Sequence, residues 1–249
     1  FTNHTEFVTG QEYETAEGSQ PNISEAESLT APDASVLKRD QKTNVTQIFQ
    51  ESVGISYGKM SNMGTLSGIN VAGQQANPVS EEDFQIAAKM AKIGQDIEYT
   101  FLNGKYQKST GDNVPNKSRG LLNAIESNIV DADGKMLSFM LLCEAMKCID
   151  DSNGDTTNLV VGLDSTGRLQ LNADAAANGL TIVSAGRDIN GIAVDQVLTP
   201  LGTVYLKTLK YLPTGTVALF DPSIMAPVEQ IVPKKGNFFL EELAKCFGK

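Results

Sequence analysis

An α+β fold is predicted by three observations. Apolar residues recur at helical spacing over 80–103, a second such run covers 135–149, and from Leu159 onward β-branched residues take over. Strands and helices do not alternate regularly, which argues against a parallel α/β sheet. The 249 residues are 41% hydrophobic. That is enough for one large domain or two small ones and too much for wholesale disorder.

Residues 1–40 stand apart. Eight acidic residues (Glu6, Glu12, Glu14, Glu17, Glu25, Glu27, Asp33, Asp40) face only Lys38 and Arg39, a net of −6 out of −10 for the whole chain. Bulky apolar residues are sparse and lack a helical period, so the segment cannot build a core of its own. It is either a disordered tail or an extended arm that lies on a neighbouring subunit. Residues 43–60 are predicted as strand, because Val45, Ile48, Phe49, Val53, Ile55 and Tyr57 are β-branched or aromatic and alternate at the end. Gly and Asn mark 61–77 as loop.

The clearest helix is 80–103. Ser80 and Asp83 approximate a capping box, and Asn103-Gly104 is a stop signal. Phe84, Ala87, Ala88, Ala91, Ile97 and Phe101 define its expected core-facing stripe, small enough for close packing. Residues 105–118 are polar loop. A second helix is expected over 135–149 with acidic residues before it, and Asp150 to Asp155 form its exit. Strands are predicted at 159–163, 194–198, 204–212 and 217–220, interrupted by a short helix around 167–177.

Composition excludes several function classes. No apolar run approaches the ~20 residues of a membrane helix. Basic clusters that would displace phosphate counterions are missing, which argues against direct nucleic-acid recognition. The single histidine, His4, removes most His-based catalysis and any zinc site needing two. Cys143, Cys148 and Cys246 are an odd set without a C-x-x-C pair, expected as buried small hydrophobes in a reduced compartment. Sequons at Asn3, Asn22, Asn44 and Asn116 are expected to be accidental. A chain opening on Phe1 and not on Met is expected to be processed or part of a longer product.

Few motifs in the chain point to chemistry. Gly68 to Gly73 and Gly186 to Gly191 have phosphate-loop glycine spacing but lack the lysine. Neither a dinucleotide fingerprint nor a nucleophile elbow occurs. Asp150, Asp151, Asn153 and Asp155 could hold calcium, but the EF-hand spacing fails, and a solvated helix exit is the expected reading. Asp131-Ala-Asp133-Gly134 is expected as a turn. No catalytic residue, metal ligand or cofactor is assigned.

Three segments together carry a family resemblance: Asn44-Val-Thr-Gln-Ile-Phe-Gln-Glu-Ser-Val-Gly-Ile-Ser with Met63-Gly-Thr, the run from Gln85-Ile-Ala-Ala-Lys to Phe101-Leu-Asn-Gly, and Ser118-Arg-Gly-Leu-Leu-Asn-Ala-Ile. Leu201-Gly-Thr-Val-Tyr-Leu, Leu212-Pro, Leu219-Phe-Asp-Pro and Phe239-Leu-Glu-Glu-Leu-Ala-Lys extend it. In this order and spacing the chain, over roughly 43–247, resembles the major capsid proteins of tailed bacteriophages. That resemblance implies the shell-forming fold shared with herpesviruses. Residues 1–77 would then supply an N-terminal arm and extended β-loop. Residues 78–154 would form a peripheral domain with a spine helix at 80–103 and the start of an axial domain, 155–200 would be axial, and 201–249 would return to the peripheral domain. Relatives usually begin before the equivalent of Phe1 and continue past Lys249.

The implied function is a structural virion protein that self-assembles, as hexamers and pentamers, into an icosahedral head around double-stranded DNA. Portal, scaffold and decoration proteins are the further partners implied. Neither membrane association nor sequence-specific DNA binding is expected, and assembly would occur in the host bacterial cytoplasm. The acidic arm needs a basic counterpart on a neighbour. Glu12, Glu14 and Glu17 are its contact candidates, with Arg119, Arg168, Arg187 and the Lys207/Lys210 pair as counterparts. An encapsulin-like nanocompartment of the same fold is the alternative. Self-catalysed Lys–Asn crosslinking, involving Lys38, Lys42 or Lys59, has no local pattern to mark a partner. A solitary binding or adhesion domain would be monomeric and stable alone.

Overall fold

The computed structural model describes residues 2, 4–13, 18, 20–34, 36–56, 81–178, 183–189 and 192–241. Its architecture is mixed helix and sheet, α+β as predicted. Two units divide the chain: Phe1–Thr46 with Ala124–Lys249, and Gln47–Asn123.

The first unit holds two sheets. Strand β1 (Glu6–Tyr13) pairs antiparallel with β2 (Arg39–Val45), with Glu6 opposite Val45, Tyr13 opposite Arg39, and a bulge between Val8 and Gly10. The segment expected to lack a core of its own, as tail or extended arm, thus contributes a strand. The strand expected over 43–60 ends at Val45 and begins four residues earlier than predicted. Beyond it the Thr46 amide donates to Thr5 O at 2.8 Å and Gln47 Oε1 accepts from the Ser118 amide at 3.0 Å, but residues 46–56 form no ladder. Residues 57–60, the loop expected at 61–77, and the Ser80 cap lie outside the described residues.

The larger sheet has the order β4-β5-β6-β3-β7, from β3 (Val160–Leu163), β4 (Val183–Ile189), β5 (Ile192–Thr199), β6 (Gly202–Thr208) and β7 (Val217–Phe220). Only β3 and β6 run parallel. All four β3 residues are buried, as their unbroken apolar run implies for a strand covered on both faces. One face carries Val161, Leu163, Val204 and Leu206 into the main core, where Leu142, Met146 and Leu171 meet them. The other carries Val160 and Tyr205, with Phe220 against them. Strand β4 was not foreseen. The 204–212 prediction ran too long, because beyond Thr208 the chain turns through Pro213 and Gly215, the latter at φ +79°.

Two helices pack on this core. The helix here called α3 spans Phe139–Asp151, four residues later than expected, because Asp131 to Gly134 form a turn and Lys135 to Leu137 remain extended approach. Its start is fixed by caps and not by acids in its first turn. Ser138 Oγ accepts from the Leu141 amide at 3.3 Å, and Asp174 Oδ2 accepts from the Phe139 amide at 2.7 Å. Leu142 and Met146, four residues apart, anchor its buried face. Helix α4 (Ser165–Ala177) is capped by Asp164, whose Oδ1 accepts from the Gly167 amide at 2.7 Å.

The second unit contains α1 (Glu81–Asn103), 23 residues and ~34 Å long at 1.5 Å per residue. Most of the stripe predicted to meet a core is exposed, with Phe84 59% and Phe101 52% accessible and Ala87, Ala88 and Ala91 exposed too; of its six residues Ile97 is half-buried. The better-covered side runs through Ile86, Lys89, Ile93 and Ile97 to Thr100, and Lys89 pairs with Glu51 at 2.7 Å. Both stripes have helical period, and periodicity alone does not say which one is covered. A one-turn helix, α2 (Leu121–Ala124), follows.

Candidate functional site

Beyond the end of α1, the chain folds back on itself. The Gly104 amide donates to Thr100 O at 2.8 Å, the Gly120 amide donates to Gly104 O at 2.8 Å, and Asn123 Nδ2 donates to the carbonyls of Asn103 and Gly104, each at 3.0 Å. The approach is too close for side chains. A Cβ on Gly104 would lie 2.4 Å from Ser118 O, and one on Gly120 would lie 2.5 Å from Gly104 N. Gln107 and Lys117 exchange backbone hydrogen bonds of 3.0 and 2.9 Å, so the loop between them projects from a fixed base. Arg119 emerges there, half-buried, with its guanidinium 5.1 Å from the centre of the Tyr106 ring.

Of the acidic candidates, one falls in a described strand. Glu12 sits in β1 opposite Asp40, placed by its backbone; Glu14 and Glu17 lie outside the described residues. Between the strands, Ser24 and Glu27 cap each other reciprocally. The Ser24 amide donates to Glu27 Oε2 at 2.9 Å and the Glu27 amide donates to Ser24 Oγ at 3.2 Å, which holds the Glu27 carboxyl below its ordinary pKa. Large apolar side chains on the same segment stand in water, with Leu29 88% and Val36 89% accessible.

The basic candidates occupy different settings. Arg168, on α4 and 18% accessible at its side chain, is ion-paired with Asp195 of β5, a partner that charge counting along the chain could not reveal. Arg187 lies in β4, placed by its backbone alone. Lys207 is half-buried in β6, and Lys210 lies 5.4 Å from the Tyr211 ring centre. Lys42, named for crosslinking, pairs with Glu126 at 2.8 Å; Lys42 is half-buried and Glu126 exposed, so a pair this open to water contributes little.

Groups suited to bond-making chemistry are scattered. Among the described residues no three His, Cys, Asp or Glu side chains cluster to hold a metal. His4 is exposed. Cys143 and Cys148 are free and half-buried, less covered than expected, and burial pushes the Cys143 thiol pKa up; Cys246 lies outside the described residues. Asp155 closes a local turn, accepting from the Thr157 amide at 2.9 Å and its hydroxyl at 2.8 Å, which lowers its pKa. Asp131 accepts from the Asp133 amide at 2.9 Å, the turn predicted there. Among the described residues no helix is long and apolar enough to cross a membrane.

What stands out is surface: exposed apolar residues between β1 and β2, an exposed stripe on α1, and a C-terminal stretch where Ile224, Phe238 and Leu240 are exposed. Contiguous exposed apolar surface of this kind marks interaction sites. A search of curated proteins finds no match for the chain. A family model described as SU10 major capsid protein matches residues 2–246.

Proposed function

The chain belongs to the SU10 major capsid protein family, and on that premise we propose that copies of it close into an icosahedral head around double-stranded DNA. The structural role in the virion follows from the family; the shell geometry and its cargo are the proposal. The observation that carries it is a match spanning residues 2–246 of 249. Support comes from the apolar residues left in water at Ile23, Leu29, Val36 and Leu37, the kind of surface that obligate interfaces of about 2,000–5,000 Å² bury. An acidic chain can enclose DNA when mobile cations neutralise the phosphates, so no basic lining is required.

In this reading 1–77 serve as arm and extended loop, 78–154 as peripheral domain with α1 as its spine, 155–200 as axial domain, and 201–249 as the return to the peripheral domain. Assembly takes place in the host cytoplasm, with portal, scaffold and decoration proteins as further partners.

Glu12, Glu14 and Glu17 of one copy contact basic residues of another, with Arg119 and Arg187 as counterparts; Arg168 joins them only to the extent that Asp195 leaves its guanidinium available. Deleting residues 1–40 is expected to leave soluble subunits that fail to form stable shells. Reversing the three glutamates to lysine is expected to weaken assembly, and Arg119→Glu or Arg187→Glu to restore part of it. Electron microscopy of each purified variant provides the readout. Normal shells from the deletion would end the arm proposal.

A further inference from the structure

The sequence contains four Asn-Gly pairs, at 103–104, 153–154, 178–179 and 190–191. Such pairs are the ones most open to self-deamidation, because glycine leaves its backbone nitrogen unshielded. The first two are held in hydrogen-bonded backbone, in two different ways.

At the end of α3 the chain makes a complete Schellman motif. Asn153 takes the left-handed conformation at φ +55°, its amide donates to Asp150 O at 2.9 Å, and the Gly154 amide donates to Ile149 O at 2.9 Å. Gly154 packs against Ile149 so closely that a Cβ would lie 2.6 Å from Ile149 Cγ2. Asn153 itself is exposed at the rim of the unit. The Asn103–Gly104 pair is instead clamped between Thr100, Ser118 and Gly120.

We propose that Asn153–Gly154 is a latent deamidation site that the cap of α3 keeps shut. In the closed cap the Gly154 N–H is committed to Ile149 O and its nitrogen cannot attack. When the helix end frays, that nitrogen loses its proton to water and bonds to Asn153 Cγ, and ammonia leaves. Water then opens the resulting succinimide to aspartate or isoaspartate. Isoaspartate adds one carbon to the backbone between Cα153 and Gly154, so the two cap hydrogen bonds cannot reform in register. A transient opening is thereby recorded as a permanent one. The rate in the folded protein is the unfolded rate multiplied by the open fraction. The inference does not depend on shell assembly.

The test ages the purified full chain in heavy-oxygen water at mildly alkaline pH and follows label uptake in the peptide containing residue 153 by mass spectrometry. Conversion in the native protein should be slower than in concentrated urea by about tenfold or more. Ile149→Ala, which loosens the packing on Gly154 and leaves the Asn-Gly sequence itself unchanged, should speed native conversion severalfold and leave the urea rate unchanged. Asn103 should convert more slowly than Asn153 in the native state. Hydrogen exchange of the wild-type peptide over 149–156 checks the closed cap without any variant, and should show protection at Gly154. Equal native and urea rates, an unchanged native rate in Ile149→Ala, or an unprotected Gly154 amide would each overturn the proposal.

Discussion

Two glycines on and after α1 have opposite reasons to be glycine. Gly120 stands where a Cβ would meet Gly104 N at 2.5 Å and Thr100 O at 2.6 Å, both backbone atoms that cannot swing away. Gly120→Ala is therefore expected to destabilise the subunit by about 2–3 kcal/mol. Gly94 lies within α1 with nothing within 4 Å of its Cβ position. There Ala removes backbone freedom from the unfolded chain at no steric cost, and Gly94→Ala should stabilise by about 0.5–1 kcal/mol. Denaturant unfolding of the soluble subunit measures both. Equal effects would mean that the Gly104–Gly120 approach is not as tight as described. Arg168 and Asp195 illustrate a different residue-scale device: a cation on α4, mostly covered, is neutralised by a carboxylate from β5, pinning the helix to the sheet.

At the scale of elements, α3 shows how caps override hydrophobic pattern. Met136 and Leu137 extend the apolar period toward the N-terminus, yet the helix begins at Phe139 because Ser138 and Asp174 satisfy its first amides there. Ser138→Ala and Asp174→Ala should each cost about 1 kcal/mol in unfolding free energy, and the double variant more than either. No loss in either variant would place the helix start under the control of core packing. The same contrast explains what was legible in sequence. β3, β5, β7 and α4 are local patterns with strong apolar cores, and their positions were predicted to within a few residues. β1 and β4 pair through bulged or polar sequence, so period-two alternation never develops in them. The stripe on α1 was visible, but which face is covered depends on tertiary packing that no local period encodes. Of the contact candidates, Arg168 could be named as a cation; its partner Asp195 lies 27 residues away and carried no signal.

Across the whole molecule, apolar side chains left in water are widespread. Among the described residues no three His, Cys, Asp or Glu side chains cluster to hold a metal, while large apolar residues such as Leu29, Val36, Phe84 and Phe101 remain in water. Association that covers such residues would link unfolding to assembly by mass action. Membership of a major capsid protein family gives that association its setting. The most direct test is negative-stain electron microscopy of the concentrated, purified protein, with absorbance at 260 and 280 nm on the same fractions. Closed angular shells several subunits across with a nucleic-acid spectrum are the predicted result, and shells without nucleic acid would favour a protein nanocompartment. Uniform small monomers at every salt and protein concentration would contradict self-assembly.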